Sequence, residues 1–334
     1  MADDSESEEG VSGVTFVPLM ALITAMLFLG KAMAPFLLVF TLLCPVPMVL
    51  TGIRFGFGRM VSGVAISSFI ILLISGNPAL VLVFLTMFAL PSVGLTLFAA
   101  RGFSPSASIG AHLFGTLAGL AIFQKIARWA GTDDRSIFIG LDSIIANWKT
   151  MLEGGGYARE EITRLIFQFK LLFPSLMIVS LFLFSIGSYY LVQFAISRLG
   201  DRMAPLPRVG EYRTAYGTMT LFLIGMAMSR FLAGSDPAES VFFALGFNLQ
   251  TLAEIGFFAS GFALVKYYVD RFSAPPAFGL DGAPAEGPGS GRAFMASLAG
   301  AFILMFMLFS FKVCVLLGLA DTICNFRSWK SGMA

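Results

Sequence analysis

The sequence is short of charge. Asp, Glu, Lys and Arg supply 13% of its 334 residues, about half of the ~25% usual in soluble domains, and this excludes an ordinary water-soluble globular fold. A net charge of +2 is too small to attract nucleic acid, so no nucleic-acid partner is expected. His112 is the single histidine, which excludes a His-rich metal site within the chain. The cysteines, Cys44, Cys314 and Cys324, have no metal-ligand spacing. Cys44 and Cys314 fall inside apolar runs, where a thiol packs as a small hydrophobe. No metal or cofactor is expected. GxxxxGK(S/T), HExxH, CxxC and GxSxG are all missing. Without an ATP motif the chain cannot power transport alone by nucleotide hydrolysis, and no enzyme is expected, because catalysis needs several groups in mutual geometry. The alternating segments of an outer-membrane barrel, roughly 10 residues each, are absent. The start, Met1–Gly10, lacks the basic opening of a secretory signal. It carries Asp3, Asp4, Glu6, Glu8 and Glu9 and reads as an uncleaved, disordered acidic tail.

Long apolar runs are what the chain has instead. A spanning helix needs about 20 apolar residues, and about nine segments qualify as candidates: Val11–Ala32, Pro35–Thr51, Val61–Gly76, Ala79–Ala99, Ile109–Ile126, Leu171–Ile196, Tyr216–Leu232, Ser240–Val265 and Phe294–Leu319. The first two could also form one long broken helix. The expected fold is therefore an all-α polytopic transmembrane bundle, with the lipid bilayer as its solvent. Residues 1–10 form the tail and 11–126 the first membrane half, with five spans. Residues 127–170 form an amphipathic extramembrane segment and 171–272 hold spans six to eight. Residues 273–292 are a Pro/Gly-rich linker and 293–334 the last span and tail. Arg54, Arg59, Arg101, Arg198, Arg202, Arg208, Arg213, Lys266, Arg271 and Arg292 gather in alternate loops, which puts the N-terminus on the cytoplasmic side. The side of the C-terminus depends on whether eight or nine runs cross. In the excursion, Phe138, Leu141, Ile145, Trp148 and Leu152 recur at helical spacing. This segment either lies in the outer interface or covers an outward cavity.

Glu254 stands near the middle of an otherwise apolar run. A carboxyl at that depth is costly and faces a partner or a water-filled cavity. Gln250 lies one turn back on the same side and Asn248 at the edge of that face. The stripe could bind a cation or polar ligand, or serve as an interhelical hydrogen-bond clamp. Lys312 in the last run either snorkels to the interface or pairs with Glu254. Small residues at four-residue spacing, Ala21 with Ala25 and Gly115 with Gly119, allow close helix packing. His112, beside the second pair, reads as a packing residue.

Four stretches carry a family likeness: CPVPMVLTGIRFGFGRMVSGV (Cys44–Val64), FPSLMIVSLFLFSIGSYYLVQFAISRLG (Phe173–Gly200), NLQTLAEIGFFASGFALVKYYVDR (Asn248–Arg271) and LLGLADTICNFR (Leu316–Arg327). In that order they resemble the YybS-like family, bacterial polytopic membrane proteins of unknown function, which implies the bacterial inner membrane. The first half of that family is similar in turn to the S components of energy-coupling-factor vitamin transporters. In those, small residues of the first helix meet a transmembrane coupling subunit, and Ala21 and Ala25 match the pattern. S components have fewer spans and no comparable excursion, so no vitamin-binding residues are carried over. The resemblance and Glu254 together imply a transport-type protein, energised by an ion gradient or a partner subunit. The alternative is a non-enzymatic scaffold or assembly partner of another membrane complex.

Overall fold

A computed structural model describes residues 13–33, 38–129, 139–231, 240–273, 298, 300–303, 305–306 and 310–327. The acidic tail, the linker beyond Ser273 and the start of the excursion at 130–138 lie outside the described residues. Among those described there is no strand. The helices are α1 (Gly13–Met33), α2 (Leu38–Leu43), α3 (Pro45–Phe55), α4 (Phe57–Ser75), α5 (Pro78–Phe84), α6 (Leu90–Ala100), α7 (Pro105–Trp129), α8 (Ile139–Gly154), α9 (Arg159–Arg198), α10 (Tyr216–Phe231), α11 (Val241–Ser273) and α12 (Phe311–Cys324). A π-helical turn, Leu85–Ala89, joins α5 to α6.

Among the described residues, six helical segments are long and apolar enough to cross a bilayer: Val14–Met33, Phe57–Ser75, Pro78–Ala100, Pro105–Trp129, Arg159–Arg198 and Val241–Arg271. The other three apolar runs are built differently. Pro35–Thr51 becomes α2 and α3, broken at Cys44 ahead of Pro45 and Pro47. Of the run Tyr216–Leu232, the described residues form a helix of 16 residues, Tyr216–Phe231. The final run is interrupted at Ser310, and α12 carries on for 14 residues. Apolar composition counts side chains; whether a run forms one continuous helix depends also on an unbroken ladder of backbone hydrogen bonds. The excursion ends in α8, stopped by a turn in which Gly156 has φ +81°. The amphipathic run at Glu160 then continues without a break into α9, 40 residues in one helix through Pro174.

The chain divides into two compact units. In the first, comprising 1–162 and 178–206, α1 packs on α3 and α4, and α6 packs on α7. Phe28 sits edge-on to Phe84 and Phe88. Ala21 and Ala25 are fully buried here. The Ala21 carbonyl accepts from Ser67 Oγ at 2.9 Å, and Ala25 joins the cluster of Phe28, Cys44 and Phe84. Both therefore face the interior of their own unit rather than a partner subunit. Gly115 and Gly119 set the approach of α7 to the π turn and α6. A Cβ on Gly119 would lie 1.9 Å from the Thr86 carbonyl oxygen, and one on Gly115 would lie 2.9 Å from Pro91 Cα. Only glycine fits at those contacts.

The second unit comprises 163–177 and 207–334. Its described core is α10, α11 and α12 with the first part of α9. Two glycine contacts fix it. Gly225 of α10 faces Gly246 of α11, and Gly261 of α11 faces Gly318 of α12. A Cβ on Gly318 would lie 1.8 Å from the Phe257 carbonyl oxygen. Phe257 and Val315 pack against Ala253 beside that crossing. The result is a helix pair whose polar side chains can meet along its length.

Candidate functional site

Glu254 lies on α11, thirteen residues past Val241 and seventeen before Arg271, the bounds of that candidate span. At 1.5 Å per residue these are about 20 and 26 Å. A hydrocarbon core is about 30 Å thick. Any register in which this helix covers the whole core leaves Glu254 inside it. The carboxylate is compensated twice. Gln250 Nε2 donates to Oε1 at 3.1 Å, the i to i+4 contact expected of one helical face. Lys312 Nζ donates to Oε2 at 3.0 Å.

The Lys312 contact decides between the two readings of that lysine. Its ammonium is held at the depth of Glu254 rather than reaching for an interface. Lys312 is the second residue of α12, just after the interruption at Ser310, so its stem leaves the helix end beside α11. The two side chains differ sharply in exposure, 18% for Glu254 and 77% for Lys312. Glu254 is tucked between helices, while the ammonium faces outward with two of its three donors unused by the carboxylate. Phe311 lies beneath it, the ring centroid 5.6 Å from Nζ.

Asn248 goes elsewhere. Its Nδ2 donates to the Leu171 carbonyl at 2.9 Å, and its Oδ1 accepts from the Ser175 N–H at 3.0 Å and the Ser175 hydroxyl at 2.5 Å. Leu171 and Ser175 are the acceptor and donor of one turn of α9, flanking Pro174. The carboxamide bridges a turn that a proline weakens. Six residues separate Asn248 from Glu254, which turns the two side chains about 120° apart on the helix. The structure thus brings Gln250 and Lys312 to Glu254 and leaves Asn248 as a clamp between α9 and α11.

Two polar centres were missed as sites by sequence reasoning. At the far end of α12, Asp321 is fully buried and Arg327 nearly so, with Nη2 3.1 Å from Oδ2. Arg327 Nη1 donates to the Gly210 carbonyl at 2.7 Å and Nη2 to the Ser260 carbonyl at 3.3 Å. Arg213 donates to the Asp321 carbonyl at 3.3 Å. The chain turns back through Asn325 in the left-handed region, φ 50°, whose N–H caps the Asp321 carbonyl at 3.0 Å. The carboxylate and guanidinium are close but not aligned for a hydrogen bond, so both Asp321 oxygens lack a directed donor. The sequence signal was the Asp and Arg six residues apart at the end of an apolar helix.

The other centre is His112, fully buried in the first unit. Its Nδ1 lies 2.9 Å from Ser185 Oγ, and that hydroxyl donates to the Leu181 carbonyl at 2.8 Å. With the hydroxyl proton committed, the ring is assigned as the Nδ1–H donor, which leaves Nε2 as an acceptor with no hydrogen-bond partner. In the same unit, α6 and α7 border an apolar groove of about 510 Å³ lined by Gly94, Phe98, Gly110 and Phe114. It offers nothing to orient a polar solute. Among the described residues, no three His, Cys, Asp or Glu side chains converge as a metal site would require.

The family profile described as "Predicted membrane protein (DUF2232)" matches residues 22–322, from within α1 to Thr322 in α12. No curated protein and no solved structure matches the chain. The chain belongs to the DUF2232 family of predicted membrane proteins, and lipid is the solvent of its apolar helices.

Proposed function

We propose that this DUF2232 protein is a transport-type protein of the bacterial inner membrane that binds a small polar solute or ion at Glu254, Lys312 and Gln250. One observation carries the reading. A carboxylate and an ammonium meet at 3.0 Å at membrane depth, and the ammonium is 77% exposed on the chain's own surface. Charge at that depth that only stabilised the fold would be enclosed, because lipid cannot solvate it. The open side fits a polar occupant or a wetted cavity. Energy comes from an ion gradient or a partner ATPase, since the chain has no ATP motif. Nine crossings and a cytoplasmic N-terminus belong to this proposal, with α2 and α3 as one broken span, α10 as a short one and the run ending in α12 as an interrupted one; the basic loops support the orientation. Cysteines placed at Asn77 and Arg202 should label from opposite sides of intact cells. Labelling of both from one side overturns the topology. The functional test is uptake into proteoliposomes. Glu254→Gln should fold normally and take up nothing, and normal uptake of the true substrate by that variant ends the proposal.

The same exposed ammonium favours a second reading, in which a transmembrane partner covers it and the protein is a scaffold. A cysteine at Lys312 would then crosslink to that partner in membranes, whereas a solute site predicts no protein adduct.

A further inference from the structure

We infer that the occupant of this site is a zwitterion, a solute carrying an ammonium-type cation and a carboxylate a few bonds apart; this rests on the solute-site reading of Glu254 and Lys312. The pair is neutral as it stands, with one carboxylate and one ammonium 3.0 Å apart. Among the described residues, no other charged side chain hydrogen-bonds to either member: Glu254 meets Gln250 and Lys312, and Lys312 meets Glu254. A lone anion or cation entering beside the pair would leave one net charge against Glu254, which is 18% exposed between helices, and uncompensated charge on that sheltered side is costly. A zwitterion adds no net charge.

The hydrogen-bond inventory agrees. Lys312 keeps two donors after serving Glu254, and Glu254 keeps lone pairs after accepting from Gln250 and Lys312. The site therefore shows an open donor beside an open acceptor. A head-to-tail zwitterion satisfies both, its carboxylate on Lys312 and its cation on Glu254, and the four charges alternate around a ring. Each contact is then a charge-assisted hydrogen bond. Both poles come from adjacent helices held at one distance by the Gly261–Gly318 crossing. This favours solutes whose own charges are as close together as the pair's, such as α-amino acids.

The test is ligand-induced thermal stabilisation of the full chain in mild detergent, at constant ionic strength. Three probes are used: glycine, sodium acetate and methylammonium chloride. Glycine should raise the melting temperature saturably, and the two single-charge probes should not. Glu254→Gln and Lys312→Met should each weaken the glycine effect by about tenfold or more, the loss expected when one charge-assisted contact is removed. Because each leaves one charge alone, the swapped variant, Glu254→Lys with Lys312→Glu, serves as the folding control. It keeps a neutral pair and should still respond to glycine, which can bind turned round. A saturable shift by acetate or methylammonium alone, lost in Glu254→Gln, overturns the zwitterion and leaves the solute site standing. No saturable shift from any of the three overturns both.

Discussion

Two ion pairs of the second unit involve the two ends of α12, Lys312 in its first turn and Asp321 in its last, and they are built to opposite purposes. Asp321 and Arg327 are enclosed, 0% and 12% exposed, and the guanidinium is tied to the carbonyls of Gly210 and Ser260. Glu254 and Lys312 are better aligned, donor to acceptor at 3.0 Å, yet their ammonium stands open. Enclosure makes a pair structural: neither partner can leave without stranding the other's charge. Openness makes a pair exchangeable, because a new partner can replace the old one without disturbing the helices. The contrast separates what holds this unit together from what could change on binding.

Removing one member of the closed pair should cost the most. Arg327→Met strands the buried Asp321 carboxylate and frees the Gly210 and Ser260 carbonyls. A loss of about 3–5 kcal/mol is expected, as for half of any buried ion pair. Reversible unfolding in mixed micelles measures it. Adding Asp321→Asn should recover a large part of the loss, and a single variant as stable as the parent would contradict the enclosure.

The scaffold behind both pairs comes next. Gly318→Ala puts a Cβ 1.8 Å from the Phe257 carbonyl oxygen, a backbone atom that cannot swing away. The α11–α12 crossing must widen, at a cost of about 1–3 kcal/mol as in other overpacked contacts. Gly318 lies between Lys312 and Asp321 in sequence, so both pairs should loosen together. The same unfolding measurement, with crosslinking between cysteines at the Glu254 and Lys312 positions, would register that. Asn248→Ala tests a polar contact of neither kind. It removes the three side-chain bonds to the α9 turn at Pro174, and about 1–3 kcal/mol is expected for the stranded backbone groups. Hydrogen exchange at Ser175 should rise while exchange around Glu254 stays unchanged.

How far the sequence announced these features depends on how local each one is. Glu254 was visible because depth alone makes a carboxyl costly, and Gln250 because it lies four residues away on one helix. Lys312 was visible as an alternative, but its choice of partner needed the glycine crossing, which depends on contacts 57 residues apart in sequence. Asn248 was placed on the wrong neighbourhood for the same reason: its partners, Leu171 and Ser175, are 77 and 73 residues away. Pro174 was the local hint that something must repair that turn. The break at Cys44 could be read from Pro45 and Pro47, and the π turn has Pro91 just after it. The break at Ser310 has no proline or glycine beside it in FSFK, so apolar composition suggested a span where the helix is interrupted. The helical membrane class was fully legible, since it follows from composition; the number of complete crossings was not, since it follows from continuity.

The smallest stability effect is expected at the open pair, and that smallness is itself the test. Lys312→Met removes an ammonium that is 77% exposed, so in detergent, where water and headgroups reach it, the charge was already largely solvated. An exposed pair contributes roughly 0–1 kcal/mol, and Glu254 keeps its bond from Gln250. The melting temperature should therefore move little, in contrast to Arg327→Met. A site and a clamp predict different pairings of results. For a site, Lys312→Met leaves stability nearly unchanged and weakens the response to glycine by about tenfold or more. For a clamp, it costs stability on the scale of Arg327→Met and has no ligand response to lose. If both variants prove equally destabilising, openness at Lys312 has no functional meaning and the two pairs are one structural device repeated along the helix.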